Sequence, residues 1–159
     1  MKQIHYFSII CVTLFSFSPC QTSDPFCLIN HINKLKLEYE DEKCGEWGGD
    51  DSKIIFYRDN LQGQLYADYS QKIRNCDDPY GKPLRIILKN RIEVLPEEQE
   101  LILSAINQLI LAKLSNCAII SNSGKYCEVS LSDSTLLIKD YPSINWTNFI
   151  LLREKLTNK

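Results

Sequence analysis

Lys53–Gln71 reads KIIFYRDNLQGQLYADYSQ. Two runs rich in β-branched and aromatic residues, Lys53–Asp59 and Gln64–Gln71, flank Asn60-Leu61-Gln62-Gly63, a polar connection with the glycine a hairpin favours. In the second run Leu65, Ala67 and Tyr69 share one face, with Tyr66 and Asp68 on the other. That period of two belongs to a strand with one side in a core.

Downstream, Lys72–Pro83 carries Asp77, Asp78, Pro79, Gly81 and Pro83 and reads as a loop. Leu84–Ile92 (LRIILKNRI) alternates again, with Leu84, Ile86 and Leu88 on one side. Pro96-Glu97-Glu98 then opens a helix, because proline fits the first turn and acids complement its positive dipole end. Ile102, Ala105, Ile106, Leu109, Ile110, Lys113 and Leu114 continue it as a wide stripe that suits a helix lying across a sheet. Past a turn at Ser121-Asn122-Ser123-Gly124, strands Tyr126–Ser132 and Thr135–Asp140 are joined through Asp133-Ser134, and Tyr141-Pro142-Ser143 ends that hairpin. A last helix from Asn145 to Leu156 turns Trp146, Phe149, Ile150 and Leu156 inward.

Upstream, Asp24-Pro25 is a helix start, with Phe26, Ile29, Ile32 and Leu35 at helical spacing. Leu35, Leu37 and Tyr39 also alternate as in a strand, so this stretch fits both periods. The order is helix, three strands, long helix, two-stranded hairpin, helix. Such segregation predicts an α+β domain over residues 21–159, with an antiparallel sheet of about five strands and helices on one face.

The first 20 residues are expected to be a signal peptide. Lys2 precedes an uncharged run, Tyr6–Phe17, and Ser18-Pro19-Cys20 breaks it. An apolar run of about a dozen residues falls short of the roughly 20 that span a bilayer. Cys20 admits two readings: the lipid-bearing first residue of a mature lipoprotein, or a cleavage point near which a freely secreted product begins. Pro19 and Phe17 depart from the small residue and leucine that lipoprotein signals favour at those places. The destination is therefore secreted, periplasmic or membrane-tethered, with the membrane reached only through a lipid at Cys20.

Export makes disulfides the expected state of Cys27, Cys44, Cys76, Cys117 and Cys127. The pairings favoured are Cys117 with Cys127 and Cys44 with Cys76. None of these cysteines lies in a C-x-x-C pair and His31 is the histidine left after cleavage, which gives no zinc pattern. With 44% hydrophobic and 24% charged residues the chain has the composition of a folded domain rather than a disordered one. A net charge of -2 supplies no positive field for nucleic acid.

Cys44-Gly45-Glu46-Trp47-Gly48-Gly49-Asp50-Asp51 is the most unusual segment. It reads either as a binding loop anchored by Trp47, flanked by Glu46 and Asp50, or as a glycine turn pinned by Cys44 with Trp47 folded onto the core. Its acids could offer oxygen ligands to calcium, but their spacing is not that of an EF-hand loop. Tyr57, Arg58 and Tyr66 form a second candidate contact surface, against the alternative of ordinary cross-strand packing. Catalytic patterns are scarce. A nucleophile triad would need His31, Asp77-Asp78 reads as a solvated loop, and no nucleophile elbow or phosphate-cradling glycine loop occurs. Ser130–Thr135 reads as a turn bonded to its own backbone, and Asn145-Trp146-Thr147 is formally a glycosylation sequon. Nothing calls for a cofactor. The leading expectation is a non-catalytic, inhibitor-like binding module for an unknown protein or small ligand; the alternative is a small secreted hydrolase using carboxylates of the two loops.

Overall fold

Leu35–Glu40, the stretch that fits two periods, is a strand, and it lies inside the sheet rather than at its edge. The computed structural model describes residues 24–61, 63–115 and 121–159. In chain order the elements are β1 (Leu35–Glu40), β2 (Asp51–Arg58), β3 (Leu65–Ile73), β4 (Arg85–Glu93), α1 (Pro96–Ser115), β5 (Lys125–Leu131), β6 (Leu137–Ser143) and α2 (Thr147–Thr157). A 3-10 turn, Gly45–Trp47, lies between β1 and β2. The strands form one antiparallel sheet in the order β4-β3-β2-β1-β5-β6. The chain meanders from β1 to β4, and after α1 it returns as β5 on the far side of β1. The fold is thus α+β and a single domain as expected, with β1 as a sixth strand.

Asp24-Pro25 opens a turn, not the expected helix. Asp24 Oδ1 accepts the Phe26 amide at 2.9 Å, and Asn30 Oδ1 accepts the amides of Ile32 and Asn33 at 2.8 and 2.9 Å. Short polar side chains take the donors that a helix would have used. Phe26 and Ile29 still enter the core.

One face of the sheet is apolar, with Leu35, Leu37, Tyr39, Ile54, Phe56, Leu65, Ala67 and Val129 buried on it. Ile102, Ala105 and Leu109 of α1, with Phe149, Leu152 and Leu156 of α2, complete this core. Trp146 is fully buried where the helices meet. Its ring stacks on Phe149 at 4.9 Å and its Nε1 donates to Ala105 O at 2.8 Å, so the indole is both packed and satisfied. Glu98, also fully buried, accepts the Leu95 amide at 2.8 Å, half of a capping box at the start of α1. Lys159 Nζ meets the same Oε2 at 2.6 Å.

The opposite face carries charge. Lys36 lies 2.8 Å from Glu38 and 2.6 Å from Glu128, and Lys139 lies 3.2 Å from Glu128. Leu84, Ile86 and Leu88 share one side as expected, but it is this polar face, where they are exposed. A register shift between Ala67 and Tyr69, with Arg91 at φ 55, inserts a residue into β4 and reverses its pleat. Ile92 and Val94 therefore reach the core while Leu84, Ile86 and Leu88 turn outward and Ile87 between them packs against the core.

Candidate functional site

The β1–β2 and β3–β4 connections meet beyond the same end of the sheet, and Cys44–Cys76 joins them covalently. This is one of the two expected bridges. Arg74 binds the loops together: its amide donates to Asp50 Oδ1 at 2.9 Å, Nε to Gly49 O at 3.1 Å, Nη1 to Pro79 O at 3.3 Å and Nη2 to Glu40 at 3.3 Å. A planar guanidinium supplies this fan of donors where a lysine could not. Gly45 at φ 63 and Gly48 at φ 75 provide the left-handed backbone of the turn, and a Cβ at Gly48 would strike Glu40.

On this frame Trp47 remains 49% exposed and meets Tyr80 edge-on with ring centroids 5.1 Å apart. Tyr80 is 82% exposed, so the pair forms an aromatic prow rather than a core contact. The turn pinned by Cys44 exists as envisaged, but Trp47 is not folded onto the core. Tyr80 was not singled out from sequence. An aromatic residue between Pro79 and Gly81, four positions past a bridged cysteine, is the signal that points to it.

Two shallow clefts adjoin the tip. One, of about 200 Å³, includes Gly49, Asp51, Lys72, Arg74, Asp78 and Lys82 in its lining. Burial raises the Asp51 carboxyl above its ordinary range, with Glu38 adding to the effect, and its Oδ1 is buried without a hydrogen-bond partner. The other, of about 260 Å³, is lined by Glu40, Glu46, Trp47, Tyr126, Tyr141 and the glycines 45, 48 and 124. Glu46 is exposed beside Trp47. Asp50 is a brace instead of a contact group, since its Oδ1 takes the Arg74 amide and Lys43 Nζ, the latter at 3.1 Å. Asp77 and Asp78 are exposed loop acids. Among the described residues no group of three His, Cys, Asp or Glu side chains could hold a metal ion.

Tyr57 and Tyr66 pair across β2 and β3 with centroids 6.0 Å apart, at the opposite end of the polar face. Six residues of strand separate them from Asp51 and the tip, roughly 20 Å. Arg58 does not accompany them. It faces the other side of the sheet, buried, where Nη1 donates to Gly63 O at 2.7 Å and Nη2 pairs with Asp24 at 2.5 Å. The alternation that puts Tyr57 outward necessarily puts Arg58 inward. Arg91 takes the expected place, 4.2 Å above the Tyr66 ring and bonded to Asp59 through both terminal nitrogens.

The second expected bridge involves a cysteine, Cys117, outside the described residues. Cys127 is a free thiol on the buried face of β5, where burial pushes it up to about 12. Cys27 is free and exposed. The signal segment and Cys20 also lie outside the described residues. His31 is exposed in the N-terminal turn. Trp146 of the sequon is buried, and Asn145 Oδ1 accepts from Tyr39 Oη at 3.3 Å. In the Ser130–Thr135 turn, Asp133 Oδ1 accepts from both the amide and hydroxyl of Thr135, the local bonding expected there. No described helix is long and apolar enough to cross a membrane.

Comparison with protein-family models, with curated proteins and with solved structures finds no match.

Proposed function

We propose that the chain is an exported, non-catalytic binding module whose contact surface is the disulfide-joined tip centred on Trp47 and Tyr80. The carrying observation is an exposed Trp–Tyr pair held on two covalently linked loops. Large aromatic groups left in water are costly on a monomer and valuable at an interface, where they contribute much area for few frozen torsions. Cross-linking the loops lowers the ordering cost of binding. A disulfide at this position is compatible with an oxidising compartment, which supports export by the leader; lipidation at Cys20 then decides whether the module is tethered or free. Intact mass of the processed protein reads that choice directly.

The hydrolase reading has one observation in its favour, the cleft holding Asp51 and Asp78 with the Asp51 carboxyl raised by burial. Against it, Lys72 lies 3.8 Å from Asp51, and Arg74 and Lys82 share the lining, a cationic setting that opposes a protonated acid.

Photo-cross-linking in the native host separates these readings. A Trp47→Ala, Tyr80→Ala double variant should lose the cross-linked partner seen with the parent while melting within about 2 °C of it, since both rings are exposed. Retention of the same partner by the double variant, or its loss in Tyr57→Ala instead, would move the contact surface elsewhere.

A further inference from the structure

The cleft on the Tyr126 side of Trp47 differs in chemistry from its neighbour across the tip. Trp47, Tyr126 and Tyr141 supply three aromatic rings to the lining, and Glu40 and Glu46 supply two carboxylates. Among the described residues no lysine or arginine lines it. The nearby cations are engaged at its margins: Arg74 reaches Glu40, and Lys125 pairs with Glu42 at 2.5 Å. Glycines 45, 48 and 124 complete the lining, so backbone rather than side chains forms the remaining wall. Added Cβ atoms would lie 2.0 Å from Glu40 Oε1 at Gly48 and 2.4 Å from Pro142 Cβ at Gly124, so both positions need the missing side chain. The Tyr126 hydroxyl donates to Glu128, which fixes the ring.

From this we infer that the cleft between Trp47, Tyr126 and Tyr141 binds an alkylammonium group. The inference rests on the tip being the contact surface and names what it recognises. An organic cation gains twice here. Its positive charge is attracted to ring quadrupoles, and the carboxylates offset that charge, with a primary ammonium also able to donate hydrogen bonds to them. A volume of about 260 Å³ sits below the usual range for drug-sized ligands and suits a single head group. Anions are disfavoured by Glu46 and Glu40, and a neutral sugar would bring no charge to balance Glu46, whereas Glu40 is already paired with Arg74.

Two sources present this chemistry, a choline-type head group and a lysine side chain, and the probes distinguish them. The full processed protein is titrated with choline chloride, with n-butylammonium chloride, and with the uncharged isostere of choline carrying a tert-butyl group. The readout is the NMR signal of the Trp47 indole N–H, with the buried Trp146 indole as internal reference. One or both ammonium probes should move the Trp47 signal saturably, and the isostere should bind about tenfold more weakly or not at all. Tighter binding of choline assigns the head group; tighter binding of butylammonium assigns lysine. Glu46→Gln and Tyr141→Leu, both at exposed positions, should each weaken the preferred probe by about threefold to tenfold. Equal binding of probe and isostere, or a Trp47 signal unmoved by either cation, overturns the inference. Should the cations fail while the Trp47, Tyr80 double variant still loses its cross-linked partner, the ligand class falls and the contact surface stands.

Discussion

Glu98 carries a steep electrostatic cost. Its side chain has no solvent exposure, and Oε1 has no hydrogen-bond partner among the described residues. The compensation is the Leu95 amide, the positive end of α1 and Lys159 at 2.6 Å, all meeting Oε2 or its vicinity. Removing one partner of a buried pair strands the other, at a cost on the order of 3–5 kcal/mol. Lys159 keeps a 31% exposed side chain, so water can replace part of its loss. Glu98→Ala is therefore expected to lower unfolding free energy by about 3 kcal/mol, and Lys159→Ala by about 1 to 2 kcal/mol, in urea melts. Equal losses in the two variants would show that the pair, rather than the helix cap, dominates. Arg58 follows the same logic on the other side of the core, where it holds Asp24 and so fixes the N-terminal turn against the hairpin. At this scale the sequence supplies side-chain chemistry but not direction. It marks Trp47 as an anchor, yet Arg58 and Arg91 are told apart only by which side of the pleat each occupies.

The tip is an element built by two loops that are remote along the chain, and its bridge closes a segment whose ends are 32 residues apart. In the chain-entropy account a loop of that length contributes about 3 to 4 kcal/mol by restricting the unfolded chain. Cys44→Ser with Cys76→Ser is expected to lower stability by about that much and to increase hydrogen exchange first at residues 41–50 and 74–83, ahead of the central strands β1 and β2. Uniform acceleration across the sheet would mean the bridge supports the whole fold and not the tip alone. The β4 edge presents a different element-scale problem, since Leu84, Ile86 and Leu88 are exposed along a strand paired on one side only. Arg85 and Lys89 alternate with them, the kind of charge that blunts edge-to-edge pairing.

Across the whole molecule, the polar sheet face ties stability to pH through Glu128. Burial would raise this carboxyl, but hydrogen bonds from Lys36, Tyr126, Ser130 and Lys139 hold it at about 2 against an ordinary 4.5. A carboxyl depressed in the folded state stabilises above its unfolded value, and that contribution fades as pH falls from 4.5 towards about 2. Asp51 acts in the opposite sense, because a carboxyl raised by burial opposes folding once it ionises. Thermal melts should lose stability through the acid window, and Glu128→Gln should flatten that limb; an unchanged limb would assign the loss to other acids. The period-two runs and the proline and acids opening α1 were legible along the chain, because each depends on residues close in sequence; the Cys44–Cys76 bridge was one favoured pairing among several that sequence allows, and the folded loops decide it. The strand identity of Leu35–Glu40 was not legible, since a segment with both periods is settled by the neighbours β2 and β5 that hydrogen-bond to it. The outward turn of Leu84, Ile86 and Leu88 was hidden too, because one inserted residue in β4 reverses every side chain before it. Local periodicity and turn chemistry thus determined the class of fold by themselves. Tertiary pairing alone decided which face each side chain meets, and with it the meeting of Trp47 and Tyr80 on loops that no local rule connects.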